Sequence, residues 1–154
     1  MTLIRTSYSP DPKPDQGIHE INYSIYPHRK GWKEALTFRK GYELNHPIET
    51  FVVIEKTNLK PSVAEETSFL QVKPENVVVS CVKLGENSKD YIVRIYDAVG
   101  VRSNAEIIFG FNVKEAYEVD FLERDLKPLP TRVNTVRVTL QPFEIKTIRI
   151  KIKD

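Results

Sequence analysis

The chain has 154 residues, 40% of them hydrophobic, which is long enough for one domain or for part of a larger one. Lys and Arg number 23 against 21 Asp and Glu, and the resulting charge of +2 gives no basis for nucleic acid or an anionic membrane as partner. No window approaches the roughly 20 apolar residues of a membrane helix, and Met1 to Asp15 holds no apolar stretch of signal-peptide length, so secretion and membrane insertion are not expected.

In chain order, Ser7 to Gly17 carries three prolines, at positions 10, 12 and 14, and reads as a loop because each removes a backbone donor. Ile18 to Tyr26 alternates, with Ile21, Tyr23 and Ile25 on one face and Glu20, Asn22 and Ser24 on the other, the pattern of a half-buried strand that Pro27 ends. From Gly31 to Leu44 the residues Trp32, Ala35, Leu36 and Phe38 fall near helical spacing, predicting a short helix that lays its apolar stripe on a sheet and stops at Asn45-His46-Pro47. Strands are then expected over Phe51–Glu55, Phe69–Val72, Asn76–Leu84, Tyr91–Ala98, Glu106–Phe111, Ala116–Leu122, Val133–Leu140 and Phe143–Ile152, with 57–67 a polar excursion between strands.

The turn formers Gly85 to Lys89 predict a hairpin joining the third and fourth of these strands, and Gln141-Pro142 predicts a second antiparallel pair at the C-terminal end. The single cysteine, Cys81, lies in the run Val77 to Val82; it excludes an internal disulfide and, as a buried thiol, points to a reducing, cytoplasmic setting. Many short strands, one short helix and no βαβ rhythm give a mainly β fold, an antiparallel β-sandwich, with 1–154 read as a single domain.

Signals for chemistry are sparse. His19, His28 and His46 with one cysteine match no zinc spacing, and there is no G-x-S-x-G elbow or Gly-rich phosphate loop. Asp11 and Asp15 share the Pro-rich loop and serve a turn better than a carboxylate dyad, whose separation nothing in the sequence sets. Tyr26 and Trp32 are the candidate platforms for stacking a sugar, weighed against Trp32 as the plug between helix and sheet.

The blocks Leu3 to Pro12, Asp15-Gln16-Gly17-Ile18-His19-Glu20, Tyr23-Ser24-Ile25-Tyr26-Pro27-His28, Gly41 to Pro47, Asn76 to Lys83, Val93 to Asp97 and Pro142 to Thr147 together resemble, in order, the C-terminal region of glycoside hydrolase family 38 α-mannosidases of the bacterial, archaeal and cytosolic type. That resemblance implies an elaborate β-sandwich assembly and an enzyme that hydrolyses terminal α-mannosides with retention. It further implies that the aspartate nucleophile and the zinc ion belong to an N-terminal α/β domain outside this chain, which is then non-catalytic and carries no cofactor. The expected partner is that catalytic domain or chain, with Asp15, Gln16 and His19 at the substrate rim or the interdomain contact. A stand-alone module that binds mannose-containing glycans, and a purely structural or assembly domain, are the alternatives.

Overall fold

A computed structural model describes residues 2–52, 66–86 and 88–153. The described residues contain one helix, α1 (Thr37–Asn45), and nine strands: β1 (Leu70–Lys73), β2 (Val77–Leu84), β3 (Tyr91–Asp97), β4 (Ser103–Phe109), β5 (Val113–Val119), β6 (Asp125–Pro128), β7 (Thr131–Arg132), β8 (Thr135–Leu140) and β9 (Ile145–Ile152). A four-stranded sheet runs β1-β4-β8-β7 and a five-stranded sheet runs β2-β3-β9-β5-β6, with every pairing antiparallel.

Strand alternation dictates how the two sheets close on each other. In β4, Ser103, Ala105, Ile107 and Phe109 point inward and are buried, and Val136, Val138 and Leu140 of β8 do the same beside them. From the opposite sheet, Val93 and Ile95 of β3 and Ile148 and Ile150 of β9 complete the core. Each fully buried Ile or Leu here is worth about 1.5–3 kcal/mol over leaving it in water, so these few side chains dominate the stability of the sandwich.

The expected hairpin is present: β2 and β3 pair from Val77↔Asp97 to Leu84↔Tyr91, and the Gly85 N–H donates to the Asp90 carbonyl at 2.8 Å. A bulge between Val79 and Cys81 displaces Ser80 at the sheet edge, a common way to blunt an edge strand. Past the bulge Val82 and Leu84 are exposed, and Cys81 is half-buried rather than buried.

Other expectations are corrected. β8 and β9 do not pair with each other: β8 lies between β4 and β7, while β9 lies between β3 and β5. Their inner residues face across the core, and the link Gln141 to Glu144 carries the chain from one sheet to the other with Phe143 at φ 59°. The strands expected over Glu106–Phe111 and Ala116–Leu122 start three residues earlier, at Ser103 and Val113. Two strands went unforeseen, β6 and β7, because prolines 128 and 130 mask them; both lie at sheet edges, where a missing N–H is tolerated.

The N-terminal third departs furthest from expectation. Ile18 to Tyr26 forms no strand, and every residue in it is exposed. The helix begins at Thr37 rather than Gly31, since Leu36 takes a left-handed φ of 52° that ends a preceding turn over 32–36. Trp32 therefore precedes the helix instead of plugging it onto a sheet, and α1 itself buries no residue. The strand expected over Phe51–Glu55 shows no regular structure at 51–52; its remainder, and the excursion at 57–65, lie outside the described residues.

Candidate functional site and interdomain face

Asp15 sits at φ 51° and Gly17 at φ 147°, and the latter is a conformation that L side chains rarely adopt. Together they reverse the chain, so that His19 Nε2 comes 2.7 Å from the Asp15 carbonyl oxygen and donates to it. One turn upstream the Lys13 N–H donates to Asp11 Oδ1 at 2.9 Å, so Asp11 serves its own turn. Asp15, Gln16 and His19 thus share one exposed, self-bonded loop.

Tyr26 is brought near His28, with ring centroids 5.4 Å apart, and its hydroxyl donates to the Ala35 carbonyl at 3.4 Å. Trp32, 48% exposed, has the Lys33 ammonium 5.5 Å from its ring centroid instead of another aromatic ring. Tyr26 and Trp32 thus flank the turn that leads into α1, each with a different neighbour.

What ties this region to the sandwich was not foreseen from sequence. Lys33 Nζ donates to the Val99 carbonyl at 2.6 Å, and Arg39 donates to the carbonyls of Glu75 at 2.8 Å and Val77 at 3.1 Å. The Tyr96 hydroxyl of β3 donates to that of Tyr42 at 3.1 Å; burial above all, and then this bond, pushes the Tyr96 phenol up to about 12. Between α1 and edge strands β1 and β2 lies a groove of about 620 Å³ lined by Arg39, Tyr42, Glu43 and residues of both strands. Arg39 thereby satisfies a carbonyl of an edge strand, the kind of group that otherwise invites another chain.

Inside the sandwich, Asp97 is 1% exposed. Its Oδ2 accepts from the N–H groups of Gly100 (2.7 Å), Val101 (2.9 Å) and Phe143 (2.9 Å), and its Oδ1 accepts from the Asn76 amide at 2.7 Å. Burial alone would push this carboxyl up, but the N–H groups facing it, that of Phe143 first, outweigh burial and hold it below the usual aspartate value. Asp97 therefore fastens the β3–β4 turn to the sheet-crossing link after β8.

A second inward-facing charge cluster is held by ion pairs, although Glu118 Oε2 lacks a hydrogen-bond partner among the described residues. Lys146 Nζ lies 2.7 Å from Glu118 Oε1 and 3.3 Å from Glu144 Oε1, and Lys127 Nζ lies 3.3 Å from Glu118 Oε2. Glu118 is pushed up by burial and pulled down further by these lysines, ending below its ordinary value. Glu115, Asp120 and Glu123 are also displaced downward, chiefly by hydrogen bonds from Lys151, the Arg124 N–H and Lys83 respectively.

A general acid in glycoside hydrolysis needs the opposite, a carboxyl raised toward neutrality. Each displaced carboxyl among the described residues is stabilised as an anion by a structural partner. No group of three or more His, Cys, Asp or Glu among the described residues could hold a metal ion, so these residues do not fit the zinc site that the resemblance implies for the whole enzyme. No helix among them is long and apolar enough to cross a membrane.

Comparison with known proteins is consistent with this geometry. Residues 76–148 match the profile of the glycosyl hydrolases family 38 C-terminal beta sandwich domain, the stretch from the Asn76 contact with Asp97 through the first half of β9. Across 97% of its length the chain is 29% identical to Alpha-mannosidase G of Dictyostelium discoideum, and across 99% it is 27% identical to human Alpha-mannosidase 2C1. An Alpha-mannosidase of Saccharomyces cerevisiae is 29% identical over 97% of the chain. The chain spans only 14% of the first of these relatives and 15% of the other two. Over its sandwich, then, the chain is similar to the glycosyl hydrolases family 38 C-terminal beta sandwich domain, and over nearly its whole length to these α-mannosidases.

Proposed function

We propose that this chain is the non-catalytic C-terminal β-sandwich of a cytoplasmic α-mannosidase, supporting the part of the enzyme that cleaves terminal α-mannosides. The observation that carries this reading is the similarity itself, which runs through 97% of the chain, N-terminal arm included, yet covers 14% of the relative. The downward-displaced carboxyls support a structural role for the acidic residues, since none of them is tuned for proton donation. In this reading the loop of Asp15, Gln16 and His19 lies toward the substrate rim or the interdomain contact, because it is exposed and held in shape by its own hydrogen bond.

The test is hydrolysis of an aryl α-mannoside with added zinc. The purified chain is expected to show no turnover. A chimera in which it replaces the matching C-terminal segment of Dictyostelium Alpha-mannosidase G is expected to hydrolyse the substrate. Robust hydrolysis by the chain alone, or an inactive chimera, contradicts the proposal.

A further inference from the structure

The sandwich leaves one long stretch of backbone without partners. From Ile18 to Tyr26 no main-chain hydrogen bond is made among the described residues, and every side chain is exposed, Ile18 to 97% and Ile25 to 84%. Backbone with bare N–H and C=O groups is tolerable in water, but an apolar row beside it is not neutral. Ile21, Tyr23 and Ile25 alternate with Asn22 and Ser24 at the period of a strand with one buried face.

Such a row costs solubility unless something covers it, and α1, which could have lain against it, instead turns its Arg39 to the Glu75 and Val77 carbonyls beside the sandwich. The stretch is too short and too polar on its other face to be a core of its own.

We propose that residues 18–26 add as a strand to the edge of a β-sheet in the remainder of the α-mannosidase polypeptide, with Ile21, Tyr23 and Ile25 facing into that sheet's core. This inference rests on the functional reading above and specifies how the contact is made. The occupant follows from three observations. The similarity to α-mannosidases extends through this stretch, 97% of the chain being matched. Those relatives are about seven times longer than the chain, which spans 14% of one and 15% of the others. A period of two is satisfied by strand pairing, where a helical groove would ask for apolar residues three and four apart. Pro27 bounds the added strand, and the turn at Asp15 to Gly17 sets where it begins.

Residue-resolved hydrogen exchange on the active chimera with Alpha-mannosidase G, compared with the chain alone, tests this. Strand addition slows at least alternate amides across 18–26 by roughly a hundredfold or more. Ile21→Asp combined with Ile25→Asp is expected to abolish that protection and lower chimera activity about tenfold, while Asn22→Thr leaves both unchanged. The isolated double variant should keep the midpoint of the unmodified chain, showing that the sandwich still folds. An active chimera with unprotected 18–26 overturns the strand while leaving the functional reading intact. A chimera that is inactive from the start overturns both.

Discussion

The two halves of this chain obey different rules although their sequences look alike. Both 18–26 and β4 alternate apolar and polar residues, but in β4 Ala105 and Ile107 are fully buried, while in the arm Ile18 and Ile25 stand in water. The difference lies in neighbours rather than in residues. β4 has β1 on one side and β8 on the other, and β3 and β9 close the core over it. The arm has a turn before it and α1 after it, and neither offers a strand edge. Alternation therefore states which face is to be buried, and only the fold states whether the burying surface is at hand.

The contrast can be broken most sharply at the core. Ile107→Ala leaves a cavity between the sheets and should lower the unfolding free energy by about 2–5 kcal/mol, read from a urea midpoint. Asp97→Asn should cost about 1–3 kcal/mol, since an amide has one accepting oxygen and cannot serve both the three N–H groups at Oδ2 and the Asn76 amide at Oδ1. Because the native Asp97 carboxyl lies below its unfolded value of about 3.9, its contribution is fully present above that pH and is lost as pH falls through the depressed native value. The gap between wild type and Asp97→Asn should accordingly close in acid; a gap that widens there would refute the assignment.

Smaller effects refine where the sandwich ends. Gly100 has φ 78°, and a Cβ added there would fall 2.4 Å from the Phe143 ring, so Gly100→Ala should cost about 1 kcal/mol or more in thermal denaturation. Arg39→Ala should release α1, raising amide exchange over 37–45, while the global midpoint moves by less than about 1 kcal/mol. The smallest change is expected from Ile25→Asp in the isolated chain, within about 0.5 kcal/mol, because that side chain is 84% exposed.

Sequence reading went furthest where local rules suffice. The β2–β3 hairpin was legible because β-branched runs flank a loop of turn formers, and the reversal at Asp15 and Gly17 was legible because a glycine opens positive φ. Pairing was not legible: Val136, Val138, Ile148 and Ile150 read as neighbours across Gln141-Pro142, yet alternation is the same whether the next strand lies beside or opposite. The Asp97 cluster gave half a signal, with Gly100 three residues on, while its Phe143 donor lies 46 residues away. Arg39 gave none, since long-range contact with the Glu75 and Val77 carbonyls depends on where the edge strand comes to rest. Of the candidate site, sequence placed Asp15, Gln16 and His19 in one block, and the structure folds them into one loop. It did not reveal that Tyr26 and Trp32 keep separate neighbours.

Native-state hydrogen exchange on the full isolated chain tests most directly whether the chain is a closed sandwich carrying an unpartnered arm. Amides of β3, β4 and β9 should exchange only through global unfolding, while those of 18–26 should exchange at nearly the rate of an unstructured peptide. Comparable protection in the arm and in β4 would contradict the account, because it would mean that this chain already holds the surface the arm is written for.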